Sequence, residues 1–369
     1  MRTRDPGAGW WRLYPGVPGA LLAVGGVLDL LTPPHVTLTP FYVAAPIAAA
    51  PVLSFWATGV YGVLATLLVV VEMVRITPIG AEATVKIGIV ASMALFALLL
   101  NRMLARRDER VASARRIAET VQRAVVPEPP GRVGRLRVAA RYRAAQRNAL
   151  IGGDFYSVRE TPHGVRMLVG DVRGKGLGAT EVVAVLLGAF REAAESEAEL
   201  GAVASRMEDT LLRERRNRPD LESNEGFTTA VLVELPDDPP LRLRMINRGH
   251  PPPVLLHPGG QARYLSGDAA LPLGLRELDG HRDRATTATF PPGAHLLLYT
   301  DGLSEARNGD GAFYDPLERL RGRRFATPRV LLDWVLADVR RHAGGGLKDD
   351  LAVVAVHHPV PNGQPLVLG

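Results

Sequence analysis

The sequence contains no cysteine among its 369 residues. That absence removes disulfide stapling, thiolate metal sites and a cysteine nucleophile together. Any metal must be held by oxygen or imidazole. Lysine is scarce as well, with Lys86, Lys175 and Lys348 the only three among 44 basic residues, so arginine carries the basic character, which reads as a bias of the source genome more than as chemistry. Aromatic residues make up 6% of the chain against 47% hydrophobic and 22% charged, a mixture that folds and excludes a disordered polymer. Formal charge is itself nearly missing over residues 15–100, where only Asp29, Glu72, Arg75, Glu82 and Lys86 occur.

The length exceeds one ordinary domain of about 100 to 200 residues, and the charge shows where it divides. Residues 101–147 hold thirteen Arg against Asp108, Glu109, Glu119 and Glu128, a local +9, so the rest of the chain sums to −3 within a net +6. Residues 1–100 are read as an all-α membrane region. A span needs about 20 apolar residues. Residues 85–100, slightly extended, and 53–74 meet that length; 17–31, containing Asp29, and 41–52, containing Pro46 and Pro51, are weaker. Arg2, Arg4 and Arg12 precede an apolar run, but no small-residue cleavage site and polar mature sequence follow, so a retained anchor is expected rather than a signal peptide. Both Arg-rich ends stay cytoplasmic under the positive-inside rule, which requires an even number of spans. Four are expected, or two if the weaker pair is interfacial. The connections are short, so any sensing would occur within the bilayer.

Residues 101–130 form a linker. Leu104, Val111, Ala118, Val121 and Val125 recur at helical spacing with Arg on the other faces. This is either a solvated connector with its Arg near anionic lipid, or a signalling helix that pairs with its copy in a homodimer through 101–126. Pro127, Pro129, Pro130 and Gly131 end it. A soluble domain is expected over 131–358, with a tail at 359–369. Strand-like runs fall at 136–142, 165–169, 228–235, 241–246, 254–256, 295–299 and 351–356, and helical periodicity at 178–193, 200–213 and 328–341. Strands follow strands without intervening helices, which predicts an α+β domain with a largely antiparallel sheet and argues against a doubly wound nucleotide fold.

Four acidic motifs stand beside Gly at strand ends: IGGDFYSV (Asp154), LVGDVRGKGLGA (Asp171), LLLYTDGLSEARN (Asp301) and GLKDDLAVVAV (Asp349, Asp350). A carboxylate at the end of an apolar strand is costly to bury without compensation. Taken singly, an Asp-Gly pair is a turn signal; four at strand termini, with no Cys and few His, suit hard Mg²⁺ or Mn²⁺ rather than zinc.

As a set, GGDFY, VGDVRGKGLGA, FTTAVLVEL, NRGHPPPVLL, LPLGL, YTDGLSEARN and KDDLAVVAV, in this order over about residues 115–357, resemble the stage II sporulation protein E type branch of the metal-dependent serine/threonine phosphatases (type 2C, PPM). The resemblance implies a four-layer α-β-β-α sandwich with two Mn²⁺ or Mg²⁺ ions at one end of the packed sheets. It implies Asp154 and Asp171 as central ligands, the backbone carbonyl of Val172 beside them, and Asp301 with one of Asp349 and Asp350, Asp349 being favoured. Two metals acidify a shared water, clamp phosphate oxygens and neutralise charge in an in-line displacement. Family members of eukaryotes carry a phosphate-binding Arg and a proton-donating His for which this sequence has no clear equivalent.

Several other features have bland readings. His250 precedes three prolines and is read as shaping that turn through a hydrogen bond, with substrate contact as the alternative. The GKGLGA segment misses the phosphate-loop pattern and is read as a strand-to-helix turn, with Lys175 near substrate. GGDF is also the diguanylate cyclase signature, but Phe155 stands where that family needs a second acid. Thr228 and Thr229 suit strand packing. The Arg cluster lacks aromatic interleaving and a recognition helix and borders a membrane, so no nucleic acid partner is expected.

The expectation is a multi-pass cell-membrane protein whose cytoplasmic phosphatase domain hydrolyses phosphoSer or phosphoThr on a regulatory protein. By resemblance, that partner is a phosphorylated anti-sigma-factor antagonist, with sigma-factor regulation as the output. The alternatives are a catalytically inactive phosphatase-like module relaying a membrane signal, and a scaffold whose membrane part, in contact with lipid, senses a lipid or small hydrophobic ligand.

Overall fold

The computed structural model describes residues 15–32, 38–76, 81–143, 152–174, 176–217, 227–237, 242–268, 270–278, 283–347 and 349–360, without the side chains of 75, 76, 110–123 and 177. The chain divides into two compact units, Met1–Ala114 and Arg115–Gly369.

In the first unit, helices α1 (Val17–Leu31), α2 (Thr39–Ala49), α3 (Phe55–Ile76) and the start of α4 (Ala81–Val125) follow one another, the last turns of α4 belonging to the second unit. Small residues let them approach closely: a Cβ at Gly25 would lie 2.9 Å from the Phe41 Cβ, and one at Gly62 2.8 Å from the Ala94 Cβ, the packing mode expected where burial in water does not drive association. Asn101 Nδ2 ties α4 to the turn before α3 by donating to the Ala50 (2.7 Å) and Leu53 (2.9 Å) carbonyls. Among the described residues, two helical segments are long and apolar enough to cross a membrane, Phe55–Val74 and Ala81–Glu109. With 15 and 11 residues, α1 and α2 fall short of the ~20 residues a span needs, and α2 contains Pro46.

The second unit holds two sheets. Its strands are β1 (Arg132–Val133), β2 (Leu136–Arg143), β3 (Asp154–Thr161), β4 (Gly164–Val172), β5 (Thr228–Leu235), β6 (Arg242–Arg248), β7 (Val254–Leu256), β8 (Ala262–Tyr264), β9 (Thr286–Thr289), β10 (His295–Tyr299) and β11 (Leu351–His357). One sheet runs β1-β2-β11-β10-β7-β8 and the other β3-β4-β5-β6-β9, and all the strand pairs described are antiparallel. Helices α5 (Leu177–Ser196) and α6 (Leu200–Asn217) cover the five-stranded sheet. On the six-stranded sheet lies α9 (Pro328–His342), which comes after the short α7 (Asp301–Ser304) and α8 (Pro316–Leu320). The result is the four-layer α-β-β-α sandwich.

The layers follow from the period-2 alternation of strands. In β11, Ala352, Val354 and Val356 join the core shared with the other sheet, while Leu351, Val353 and Ala355 pack in the core beneath α9. A strand buried on both faces reads as an unbroken apolar run, which is why LAVVAV stood out. The β3 strand did not: Ser157, Arg159 and Glu160 interrupt its apolar pattern.

Two arginines lock the five-stranded sheet to its helices. Arg166, fully buried, donates from Nε to Glu234 Oε2 (2.8 Å) and reaches the carbonyls of Ala194 (2.9 Å) and Ala198 (2.9 Å), where a cation complements the helix C-terminus. Arg248 pairs with Glu208 of α6 and with Asp283 (3.3 Å). Arg166 thus answers Glu234 of the neighbouring strand β5 and the end of α5, while Arg248 answers Glu208 of α6.

Candidate metal centre

The site begins with a turn. Thr161 Oγ1 donates to the Gly164 carbonyl (2.8 Å), and Gly164 has φ +100° with the Leu235 carbonyl oxygen 2.3 Å from where a Cβ would be. Only glycine fits such a position. The turn sets the β3–β4 register, and that register places Asp154 directly opposite Asp171 at the far end of the hairpin. Like charges facing each other across a ladder repel. Asp301 arrives from the other sheet, as the first residue of α7 after β10. One carboxylate oxygen from each of the three lies within 4.8 Å of the others.

Close backbone approach makes this convergence possible. A Cβ at Gly153 would meet the Val172 carbonyl oxygen at 2.2 Å and Asp171 Oδ1 at 2.8 Å; one at Gly302 would meet the Asp350 carbonyl oxygen at 1.7 Å. The glycines beside these aspartates thus admit neighbouring protein atoms. Thr300, fully buried, is a site residue that sequence reasoning missed: its hydroxyl donates to Asp154 Oδ2 (2.7 Å) and accepts from the Ala352 amide (2.9 Å). Its only signal was its place before Asp301 in YTDG.

Burial, followed by the charge of Asp171, holds the Asp154 carboxyl well above the usual carboxylate range; the Thr300 hydrogen bond opposes this, and Asp350 and Asp301 add to it. Asp171 is pushed up to about 7 by burial and then by Asp301, with a bond to Asp154 opposing and Asp349 and Asp350 contributing. Desolvated, mutually repelling carboxylates with an all-oxygen donor set fit a hard divalent cation.

The remaining expected residues fall as follows. Val172 is buried, its amide donating to the Gly153 carbonyl (3.1 Å) and its own carbonyl oxygen lying over Gly153. Asp350 is buried, with its carboxylate against Gly152, while Asp349 is exposed and accepts the Asp350 amide (3.0 Å). Both lie outside the three-carboxylate group. His250 is buried with its Nδ1 3.0 Å from Thr229 Oγ1; its amide donates to Asn247 Oδ1 (2.7 Å) and its carbonyl accepts from Asn247 Nδ2 (2.8 Å). Burial lowers its ring to about 3, so it is a neutral imidazole that braces the turn. Lys175 lies outside the described residues.

A family model described as stage II sporulation protein E (SpoIIE) matches residues 161–359, more than half of the chain. The chain belongs to the stage II sporulation protein E family. Among solved structures, the SiaA PP2C domain of Pseudomonas aeruginosa is similar at 18% identity, covering 69% of this chain and 98% of that one, with a TM-score of 0.57. The RsbU and RsbW domains of a Mycobacterium tuberculosis protein share 24% identity over 61% of each chain, with a TM-score of 0.47. The PP2C phosphatase domain and regulatory fragment of SpoIIE from Bacillus subtilis shares 20% identity over 61% of this chain and 64% of that chain, with a TM-score of 0.49. This SpoIIE-family chain thus spans less than two thirds of the mycobacterial chain, and its second unit has the type 2C fold.

Proposed function

We propose that this protein is a membrane-anchored, metal-dependent phosphoprotein phosphatase that hydrolyses phosphoSer or phosphoThr on a cytoplasmic regulatory partner. The observation that carries the reading is the meeting of Asp154, Asp171 and Asp301, from both sheets, within 4.8 Å. Asp154 and Asp171 would be the central ligands of two Mn²⁺ or Mg²⁺ ions, with Asp301 and the Val172 carbonyl beside them. Asp349, whose side chain is exposed, is the better fourth carboxylate, since that of Asp350 is held against Gly152. When bound, such ions supply Lewis acidity toward the phosphoryl group and a nucleophilic water at neutral pH. Thr300 orients Asp154, and Gly153 and Gly302 let the strand ends close.

The substrate we favour is a phosphorylated anti-sigma-factor antagonist, which puts the enzyme upstream of sigma-factor regulation; family membership supports this. Membrane anchoring through α3 and α4 is supported by outward apolar side chains such as Leu67, Val71, Leu95 and Phe96, each more than half exposed, a surface that water disfavours and lipid accepts. On this reading the domain after α4 faces the cytoplasm, and 101–126 is either a connector with its arginines near anionic lipid or a helix that pairs two copies in a homodimer. Residues 115–369 should hydrolyse an aryl phosphate with Mn²⁺ and lose that activity on Asp171→Ala or Asp301→Ala. Metal-independent activity, or full activity in both variants, would sink the reading; absent activity together with no tight divalent binding by calorimetry would favour an inactive binding module.

A further inference from the structure

The N-terminal unit holds a cavity of about 1000 Å³, the upper end of the size range for small-molecule sites. Its walls include Leu22 of α1 and Leu64 and Leu68 of α3, with Tyr61 among them, and its polar lining includes Asp29 of α1 and Glu72 of α3. A Cβ at Gly19 would sit 3.3 Å from the Tyr61 hydroxyl. Asp29 and Glu72 lie close enough to act on one another electrostatically, so both carboxylates stand at one end of the lining. Gly26, on the wall, keeps the volume open, since a Cβ there would meet nothing within 4 Å.

Glu72 is 7% exposed and its Oε2 has no hydrogen-bond partner. A buried carboxylate oxygen without a partner is costly and is a strong acceptor for a charged donor. Lys86, the basic residue of α4 ahead of Asn101, forms its ion pair with Glu82 (3.2 Å) and acts on Glu72 through space, leaving Glu72 Oε2 without a donor in contact. We propose that the cavity binds a lipophilic ammonium ion, its single alkyl chain along Leu22, Leu64 and Leu68 and its cationic head at Asp29 and Glu72. Apolar walls alone would accept any acyl chain; the paired carboxylates select the cation and disfavour anionic and neutral amphiphiles. This goes beyond the phosphatase reading and does not depend on it.

The test uses the full-length protein in phosphatidylcholine nanodiscs with a photoreactive diazirine dodecylamine, adducts being mapped by mass spectrometry. The amine should label peptides of α1 and α3, competed by dodecylammonium, at least about tenfold more than the diazirine alcohol of the same length does, a charge-assisted bond being worth that factor. Glu72→Gln should reduce amine labelling about tenfold, and Gly26→Leu, which fills the volume without removing a charge, should reduce it comparably. Equal labelling by the alcohol in the unaltered protein, or undiminished labelling in Glu72→Gln, overturns the proposal. The amine-to-alcohol ratio needs no variant, so misfolding of a variant leaves the test intact, and no phosphatase activity enters the readout.

Discussion

Thr300→Val removes one hydroxyl from a fully buried residue whose oxygen serves two partners. Valine matches threonine in shape, so the change is in hydrogen bonding alone. The Ala352 amide, 2.9 Å from the hydroxyl, is left without that acceptor, at a cost of about 1–3 kcal/mol for a buried donor. The bond to Asp154 is lost too. That bond opposes the rise that burial imposes on the Asp154 carboxyl and is worth about 1 kcal/mol. Urea unfolding of residues 115–369 in chelator should therefore show a loss of about 2–4 kcal/mol. With metal present the carboxylate is ionised and the hydroxyl fixes its direction; removing such a supporting bond weakens metal binding about 10–100-fold. Titration of aryl phosphatase activity with Mn²⁺ should place the Thr300→Val midpoint that much higher, while Thr300→Ser, which keeps the hydroxyl, stays near the unaltered value. An unchanged Mn²⁺ midpoint in Thr300→Val would refute the argument that this residue positions Asp154.

Other outcomes follow from the same geometry. Gly302→Ala should destabilise the phosphatase unit by at least about 3 kcal/mol, because its Cβ would meet backbone that moves only with β11. In contrast, Gly188→Ala, exposed in α5 with nothing within 4 Å, should stabilise it by about 0.5–1 kcal/mol; paired urea melts check both signs. His295 and His357, with ring centroids 4.4 Å apart, are lowered by burial to about 3 and about 4 from 6.5. The unfolded chain therefore takes up protons below pH 6.5 that the native state refuses, and stability falls as pH drops from there toward 4, each group adding at most about 1.4 kcal/mol per pH unit. His295→Leu should flatten that slope, and an identical pH dependence would rule out the assignment. Arg166→Met leaves Glu234 with one of its two arginines, Arg244 at 2.9 Å, and should cost about 3–5 kcal/mol, read by the same unfolding assay.

Some of this was fixed by local chemistry. The exclusion of thiolate ligands follows from the missing cysteine, the antiparallel sandwich from apolar runs such as 351–356, and the helices from periodicity at 178–193, 200–213 and 328–341, because these signals lie within a few neighbouring residues. The motif series also carried the family. Other features required three dimensions. That Asp154 faces Asp171 depends on a register set at Gly164, seven residues away from Asp171, and that Asp301 joins them depends on two sheets packing face to face. The glycines beside the aspartates read as turn signals; folded, they hold the Val172 and Asp350 carbonyls at distances a methyl group forbids. Thr300 and Arg248 stood inside the motifs YTDGLSEARN and NRGHPPPVLL, and Arg166 outside all of them, but none showed its role, since each acts on a partner far along the chain. Pattern decides which residues can be buried together, and only the packed sheets decide which carboxylates must share one small volume.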